Sequence, residues 1–320
     1  MPVDADFALV TQDAPELQDG QFLLRNHYAS LDPAMRGWMD DKPSYFPPIP
    51  LGGPIPASTI GVVAASRNDD FPVGSWAAGF GAIEEYTLHQ KGSGRKIDPG
   101  LLPTVTNYLS IASGVGPTAY FALLDIGKPL AGETVLVTGA AGAVGSLVGQ
   151  IAKLKGCRTV GIAGGARKCE RLLHDYGYDA AIDYKDKSPE ELVAAIRKAA
   201  PDGVDIQFEN VGGGILDAGL MTLNGKARVV LCGLISQYNC DPLPVKNLWQ
   251  LIVKGARIEG FILTQYISRL GEAVPELTSW VREGKLRIDE HIEEGIENAV
   301  SAFLKLFKGT NDGKMILKLV

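Results

Sequence analysis

Three glycines, Gly139, Gly142 and Gly145, fall within the stretch TGAAGAVGS (Thr138–Ser146), off the G-x-G-x-x-G spacing of the common dinucleotide fingerprint. The apolar run TVLVT leads into this loop. Out of it leads a helical periodicity, with Val144, Leu147, Val148, Ile151 and Leu154 at three- and four-residue steps. Strand, glycine turn and helix in that order aim the unpaired N–H groups and the positive end of a helix at a phosphate. Gly142 lets the backbone approach a pyrophosphate, and Gly145 lets the helix pack closely on its sheet. A glycine triplet alone is an ordinary turn; in this setting it predicts a dinucleotide site.

The next apolar run, RTVGIAGG, ends at Gly164, Gly165, Ala166, Arg167 and Lys168. An NAD site carries a carboxylate about 20 residues beyond the loop, where it accepts from the ribose 2′-hydroxyl. This strand end has no carboxylate of its own and two cations instead. Cations in the first turn of a helix oppose its dipole. A solvated helix start leaves that placement unexplained, whereas the 2′-phosphate of NADP(H) accounts for it.

The remaining chemistry must come from elsewhere. The cysteines, Cys157, Cys169, Cys232 and Cys240, form no C-x-x-C, and His27, His89, His174 and His291 are scattered. A Cys/His zinc site needs clustered ligands, so no metal is expected. Alcohol oxidation in zinc dehydrogenases leans on the metal to polarise oxygen. An activated C=C bond needs only a hydrogen-bond donor for the enolate oxygen once hydride reaches the β-carbon. CGLISQYN (Cys232–Asn239) leaves a strand where such a donor belongs, and Tyr238 is its one phenol. On spacing alone, Tyr238 is equally an ordinary loop tyrosine.

The elements that must position these residues fall into two textures. Residues 1–106 are rich in Pro and Gly; QFLLRNHYASLD and STIGVVAAS read as strands, and KPSYFPPIPLGGPIP (Lys42–Pro56) as a loop. Over 107–285 strands and helices alternate. SPEELVAAIRKAA opens with Ser188 as N-cap, Pro189 at the first helical position and Glu191 at the capping-box position. VDIQFENVG, ARVVLCG and RIEGFIL supply further strands. Residues 286–320 end in the alternating run GKMILKLV, which reads as a strand returning to the first domain. The expected fold class is therefore α/β: a mostly β domain over 1–106 completed by 286–320, and a Rossmann doubly wound parallel sheet over 107–285.

Composition bounds the partners. The chain has 320 residues, 46% hydrophobic and 21% charged, with net charge −6 and no Lys/Arg block, which argues against nucleic acid. No apolar run reaches the roughly 18 residues of a membrane span. MPVDADFALV lacks the basic and apolar regions of a signal peptide. The expectation is a cytoplasmic protein with a small-molecule substrate.

LDPAMRG, PTAYFALLDIG, GETVLVTGAAGAVGSLVGQIAKLKGC, FENVGGG, CGLISQYN and FKGTNDGKMILKL together resemble the zinc-free branch of the medium-chain dehydrogenase/reductase superfamily. Within it, the chain is similar to the leukotriene hydroxydehydrogenase/prostaglandin reductase group and its bacterial relatives, the NADPH-dependent curcumin reductases. The resemblance covers nearly the whole chain. It implies a GroES-like β domain joined to a Rossmann domain, NADPH as cofactor, α,β-unsaturated ketones and aldehydes (enones and alkenals) as substrates, and a homodimer. It places Gly142, Ala143, Val144 and Gly145 at the pyrophosphate, with Gly164, Lys168 and Tyr184 around the 2′-phosphate. Asn210, Cys232, Gly233 and the loop to Tyr238 line the nicotinamide side; Phe261, Ile262, Leu263 and Asn311 complete the cleft, and Tyr238 faces the substrate.

Three departures stand out. Ala34 in DPAMRG replaces a tyrosine of the family motif that orients the enone, and Tyr45 nearby in PSYFPP is a substitute for it. GVGPTAY is one residue shorter than the family's loop near the nicotinamide. The family's first strand is missing from the start of the chain. A quinone oxidoreductase of the same superfamily is the alternative reading, and a weakly catalytic NADPH-binding sensor or structural protein is a third.

Overall fold

Strand β1 (Phe22–Ser30) carries FLLRNHYAS, and Phe22, Leu24 and Ala29 in it are fully buried in the computed structural model, which describes all 320 residues. Burial on this scale follows from neighbours on both edges. The next strands are β2 (Pro56–Ser66), β3 (Trp76–Ala82), β4 (Tyr86–His89) and β5 (Arg95–Lys96). They form antiparallel pairs: β2 with β1, β3 with β2, β5 with β3, and β4 with Phe22–Arg25 of β1. The proline-rich stretch from Lys42 is irregular as far as Ile55, and Pro56 opens β2. No strand precedes β1; the chain before it forms a single 3-10 turn, Asp4–Asp6.

Six further strands follow: β6 (Thr134–Thr138), β7 (Arg158–Ala163), β8 (Ala180–Asp183), β9 (Val204–Glu209), β10 (Leu223–Leu231) and β11 (Arg257–Gly260). All pair in parallel, in the order β11-β10-β9-β6-β7-β8. Every residue of β6 is buried, as in a sheet covered on both faces. Helices Ala143–Leu154, Ala166–His174, Pro189–Ala199 and Gly213–Leu220 follow β6, β7, β8 and β9 in turn. The helix at Pro189 starts as its sequence predicts. Ser188 Oγ accepts the Glu191 N–H at 3.2 Å while the Glu191 carboxylate accepts the Ser188 N–H at 2.8 Å. This is the doubly wound order, reversing between β6 and β9, and ligand crevices in such sheets open at the strand C-termini there.

Two sequence expectations need correction here. RIEGFIL is a strand only to Gly260; Phe261 adds one backbone bond to Leu231 at 2.9 Å, and the chain then turns into the 3-10 helix Leu263–Arg269. The stretch Asn107–Gly127 is long and apolar enough to cross a membrane, with mean hydropathy 1.3 over its most apolar 18 residues, but 61% of that window is buried inside the protein. It is also broken at Ala112–Gly114 and ends in a π turn, Ala122–Gly127, so its apolar side chains serve a core.

The last strands are β12 (Glu290–Glu294) and β13 (Lys314–Lys318), a parallel pair flanking the helix Ala299–Lys308. β13 runs antiparallel to β1, with Ala29 opposite Leu317, and so joins the first sheet. Ala29, Leu31, Met35, Trp38, Phe303 and Leu317 share a core beside it. Two units result: Met1–Gly114 with Asp289–Val320, and Val115–Ile288.

Candidate active site

The glycine loop starts where β6 ends. Gly139 has φ +59°, a left-handed value that suits glycine, and Gly142 caps the helix that follows. Having no side chain, Gly142 leaves the N–H groups of the first turn to an anion. A Cβ at Gly145 would lie 2.4 Å from Gly139 O and 2.7 Å from Ala140 Cα. The close approach there is therefore between the helix and its own loop, where the sequence suggested the sheet. Tyr178 braces the same helix from below: its hydroxyl donates to Gly145 O at 2.7 Å, and its ring fills the space beside Gly149. Gly142, Ala143 and Val144 are half-buried at the mouth of the loop.

At the end of β7, Gly165 is the N-cap of the helix Ala166–His174, which places Arg167 and Lys168 second and third in its first turn. The Tyr184 ring lies against Gly164, where a Cβ would be 3.1 Å from Cε1. The sequence showed no carboxylate at this strand end, and the fold supplies one. Asp183 is in register with Ala163, and its Oδ1 accepts the N–H groups of Gly165 at 2.8 Å and Lys185 at 3.1 Å. It belongs to the neighbouring strand, so linear spacing could not reveal it. That oxygen serves the two backbone turns.

At the switch point, the structure brings several expected residues together. Asn210 donates its N–H to Thr138 Oγ1 at 2.8 Å and its amide to Thr138 O at 2.7 Å. Asn210 O accepts the Ile235 N–H at 3.1 Å, while Cys232 and Gly233 donate to Glu209 O at 2.9 and 3.1 Å. Burial, with the Glu209 carboxyl adding to it, pushes the Cys232 thiol up to about 12, so it stays protonated. Tyr238 follows the 3-10 turn Ile235–Gln237, and its hydroxyl accepts the Leu234 N–H at 3.3 Å. Phe261 is 9% exposed and stacks on Tyr266 with centroids 5.2 Å apart; Ile262 and Leu263 follow it, half-buried. Thr138 and Glu209, which link these pieces, were missed. The signal was present in FENVG, a carboxylate closing the strand VDIQFE just before a glycine turn.

Ala34, Tyr45 and Asn311 belong to the first unit. Ala34 caps the short helix Met35–Trp38 and packs on the core around Leu31 and Trp38. Tyr45 is 53% exposed on the proline-rich loop. Asn311 is buried and donates to Gly313 O at 3.0 Å. GVGPTAY, expected as a loop, is helical over Val115–Phe121, and Tyr120 in it donates to Glu276 at 2.5 Å.

Two family models match the chain: an N-terminal domain of oxidoreductase over residues 1–97, and a zinc-binding dehydrogenase over residues 143–281. No three His, Cys, Asp or Glu side chains gather as metal donors, so the residues present do not fit the zinc of the second description. The NADPH-dependent curcumin reductase of Escherichia coli (strain K12) is 40% identical over 326 residues, covering 99% of this chain and 93% of that protein. Prostaglandin reductase 1 of Bos taurus is 39% identical over 331 residues, covering 99% and 95%. The solved structure of CurA from Vibrio vulnificus in complex with NADPH superposes with TM-score 0.93 at 40% identity, covering all of this chain and 96% of that one. Escherichia coli quinone oxidoreductase in complex with NADPH has TM-score 0.77 at 19% identity over 97% and 94%, a likeness of fold alone. With the glycine loop at the head of a doubly wound sheet and likeness running end to end, the chain belongs to the medium-chain dehydrogenase/reductase family, in the branch of the curcumin and prostaglandin reductases.

Proposed function

We propose that this chain reduces the C=C bond of α,β-unsaturated ketones and aldehydes with NADPH. The observation that carries the reading is likeness over the whole chain to an NADPH-dependent curcumin reductase. The loop geometry suits the cofactor: the N–H groups at Gly142–Gly145 bind the pyrophosphate, and Lys168, with Arg167, Gly164 and Tyr184, holds the 2′-phosphate. Asn210, Cys232 and Gly233 line the nicotinamide side, and Phe261, Ile262 and Leu263 complete the site. NADPH, when bound, would supply the hydride that adds to the β-carbon, and a proton from solvent would then add to the α-carbon of the enolate.

The chain's own part is to hold the carbonyl oxygen as it gains charge. Tyr238 is the donor for this. Its hydroxyl rests on the Leu234 N–H, and turning its proton to the substrate oxygen stabilises the enolate in the transition state. Ala34 stands where the family motif has a phenol, and we assign Tyr45, on the proline-rich loop, as its substitute. The unit built on β1–β5, β12 and β13 is the substrate domain, and the unit of β6–β11 is the cofactor domain.

The protein works as a homodimer. In support, β11 is the outermost strand of its sheet with one edge unpaired by this chain, and Trp249 and Ile252 just before it are 66% and 69% exposed. Four unpaired cysteines suit a reducing compartment such as the cytoplasm.

The test is NADPH consumption with a simple enone, with a quinone and with no acceptor, for the wild type and Tyr238→Phe. The expected outcome is turnover of the enone, with kcat about a hundredfold lower in Tyr238→Phe and NADPH affinity unchanged. Turnover of the quinone alone would make the protein a quinone oxidoreductase. Binding of NADPH with no turnover would make it a sensor.

A further inference from the structure

Glu209 closes β9 at the switch point, is fully buried, and has no part in the proposed reaction. Its Oε1 accepts three hydrogen bonds, from the Thr138 hydroxyl at 2.7 Å, the Val211 N–H at 2.7 Å and the Gly212 N–H at 2.8 Å. Its Oε2 accepts the Gln207 amide at 2.8 Å. Its backbone carbonyl takes the N–H groups of Cys232 and Gly233. Thr138 immediately precedes the glycine loop, Gly212 caps the helix Gly213–Leu220, and Cys232 opens the loop that ends at Tyr238. One residue is thus bonded to the ends of three adjacent strands, β6, β9 and β10.

A carboxyl in that place is costly to bury, and the hydrogen bonds it accepts offset that cost. Desolvation pushes Glu209 above the usual carboxylate range, against the pull of its hydrogen bonds. Thr138 extends the linkage, since its Oγ1 also accepts the Asn210 N–H. Asn210 O and Val211 O in turn accept the N–H groups of Ile235 and Ser236, in the loop before Tyr238. Such a hub fixes how far apart two loops stand, which an apolar residue could not do.

We propose that Glu209 is a positioning residue that sets the glycine loop and the Tyr238 loop in register with each other. The proposal rests on the reading that NADPH binds at the glycine loop. Glu209→Ala leaves the three donors at Oε1 without that acceptor and is expected to fold poorly, so two gentler variants carry the test. Thr138→Val keeps the side-chain shape and removes the hydroxyl. Glu209→Gln keeps an oxygen for the three donors at Oε1 but not the charge.

The readouts are NADPH affinity by fluorescence titration, kcat on an enone at saturating NADPH, and the thermal midpoint. Thr138→Val should weaken NADPH and lower kcat by roughly tenfold each, the loss expected for one or two buried hydrogen bonds. Thr138→Ser should restore both. Glu209→Gln should lower both by a smaller factor, and the double variant should lose less than the product of the two single losses, because one bond is shared. Unchanged affinity and kcat in Thr138→Val, or in Glu209→Gln should the first not fold, would make Glu209 a mere packing residue and overturn the proposal. If wild-type protein fails to bind NADPH, the functional reading falls and this proposal with it.

Discussion

Lys168 stands third in a helix whose positive end already repels it, and Arg167 stands beside it. On the proposed reading, the 2′-phosphate, close to doubly charged, accounts for that placement. A charge-assisted bond to phosphate is worth roughly 1.5 to 3 kcal/mol net, and each 1.4 kcal/mol is about tenfold. Lys168→Ala should therefore weaken NADPH about ten- to a hundredfold, leave NADH nearly untouched and reduce the salt dependence of NADPH binding. Equal use of NADH and NADPH by the wild type at low salt would contradict this. The cations were legible in the sequence because they adjoin the glycines in the chain. Asp183 was not, because it reaches Gly165 across a strand pair. Thr138 was hidden for a similar reason: a threonine at a strand end looks ordinary until Glu209 and Asn210 are seen to share its hydroxyl.

Regular elements were most legible where a buried strand met an amphipathic helix, as at β6 and the helix Ala143–Leu154, because both periodicities are dictated by one core. They were least legible in short pieces held by long-range partners. β5 has two residues, and β12 reads as the charged run EHIEE; pairing with β3 and β13 makes them strands. One side chain shows how such joints are secured. Arg228 of β10 donates to Glu133 Oε1 and Oε2 at 2.8 and 2.6 Å, to Gly127 O at 2.8 Å and to Lys128 O at 3.0 Å, pinning the end of the π turn to the approach to β6. Burial pulls the Glu133 carboxyl upward, but the Arg228 bonds and the Leu130 N–H outweigh it and hold it below the usual range. A depressed carboxyl contributes stability above its unfolded pKa and loses it as pH falls through the folded one. Arg228→Met should thus cost about 2 kcal/mol at pH 7. In denaturant unfolding, that deficit should shrink as pH drops below about 4.3, the ordinary glutamate value. A deficit constant from pH 7 to pH 3 would show that lost packing, with no electrostatic share, accounts for it.

At the scale of the whole molecule, the change of texture along the chain was legible, and so was the return of the last strand, although β13 is buried over Lys314–Leu317 instead of alternating. The helix Ala299–Lys308 just before it was overlooked. The assembly is tested at this scale. In the proposed homodimer, Ile252→Glu places a charge on the 69% exposed apolar position ahead of β11, and light scattering is expected to show a dimer for the wild type and a monomer for the variant. A monomeric wild type would rule out the dimer. The pairing of β1 with β13 has a further consequence, for synthesis. Tyr28 meets Lys318 only after all the residues between them have left the ribosome. The parallel sheet, contained within Val115–Ile288, is complete before that moment and can fold while translation continues. The first sheet must wait with the Tyr28–Ser30 end of β1 open on that side, its backbone exposed to other nascent chains until β13 pairs with it. The unit Val115–Ile288 can therefore be finished first, while the other unit is closed only once β13 has been made.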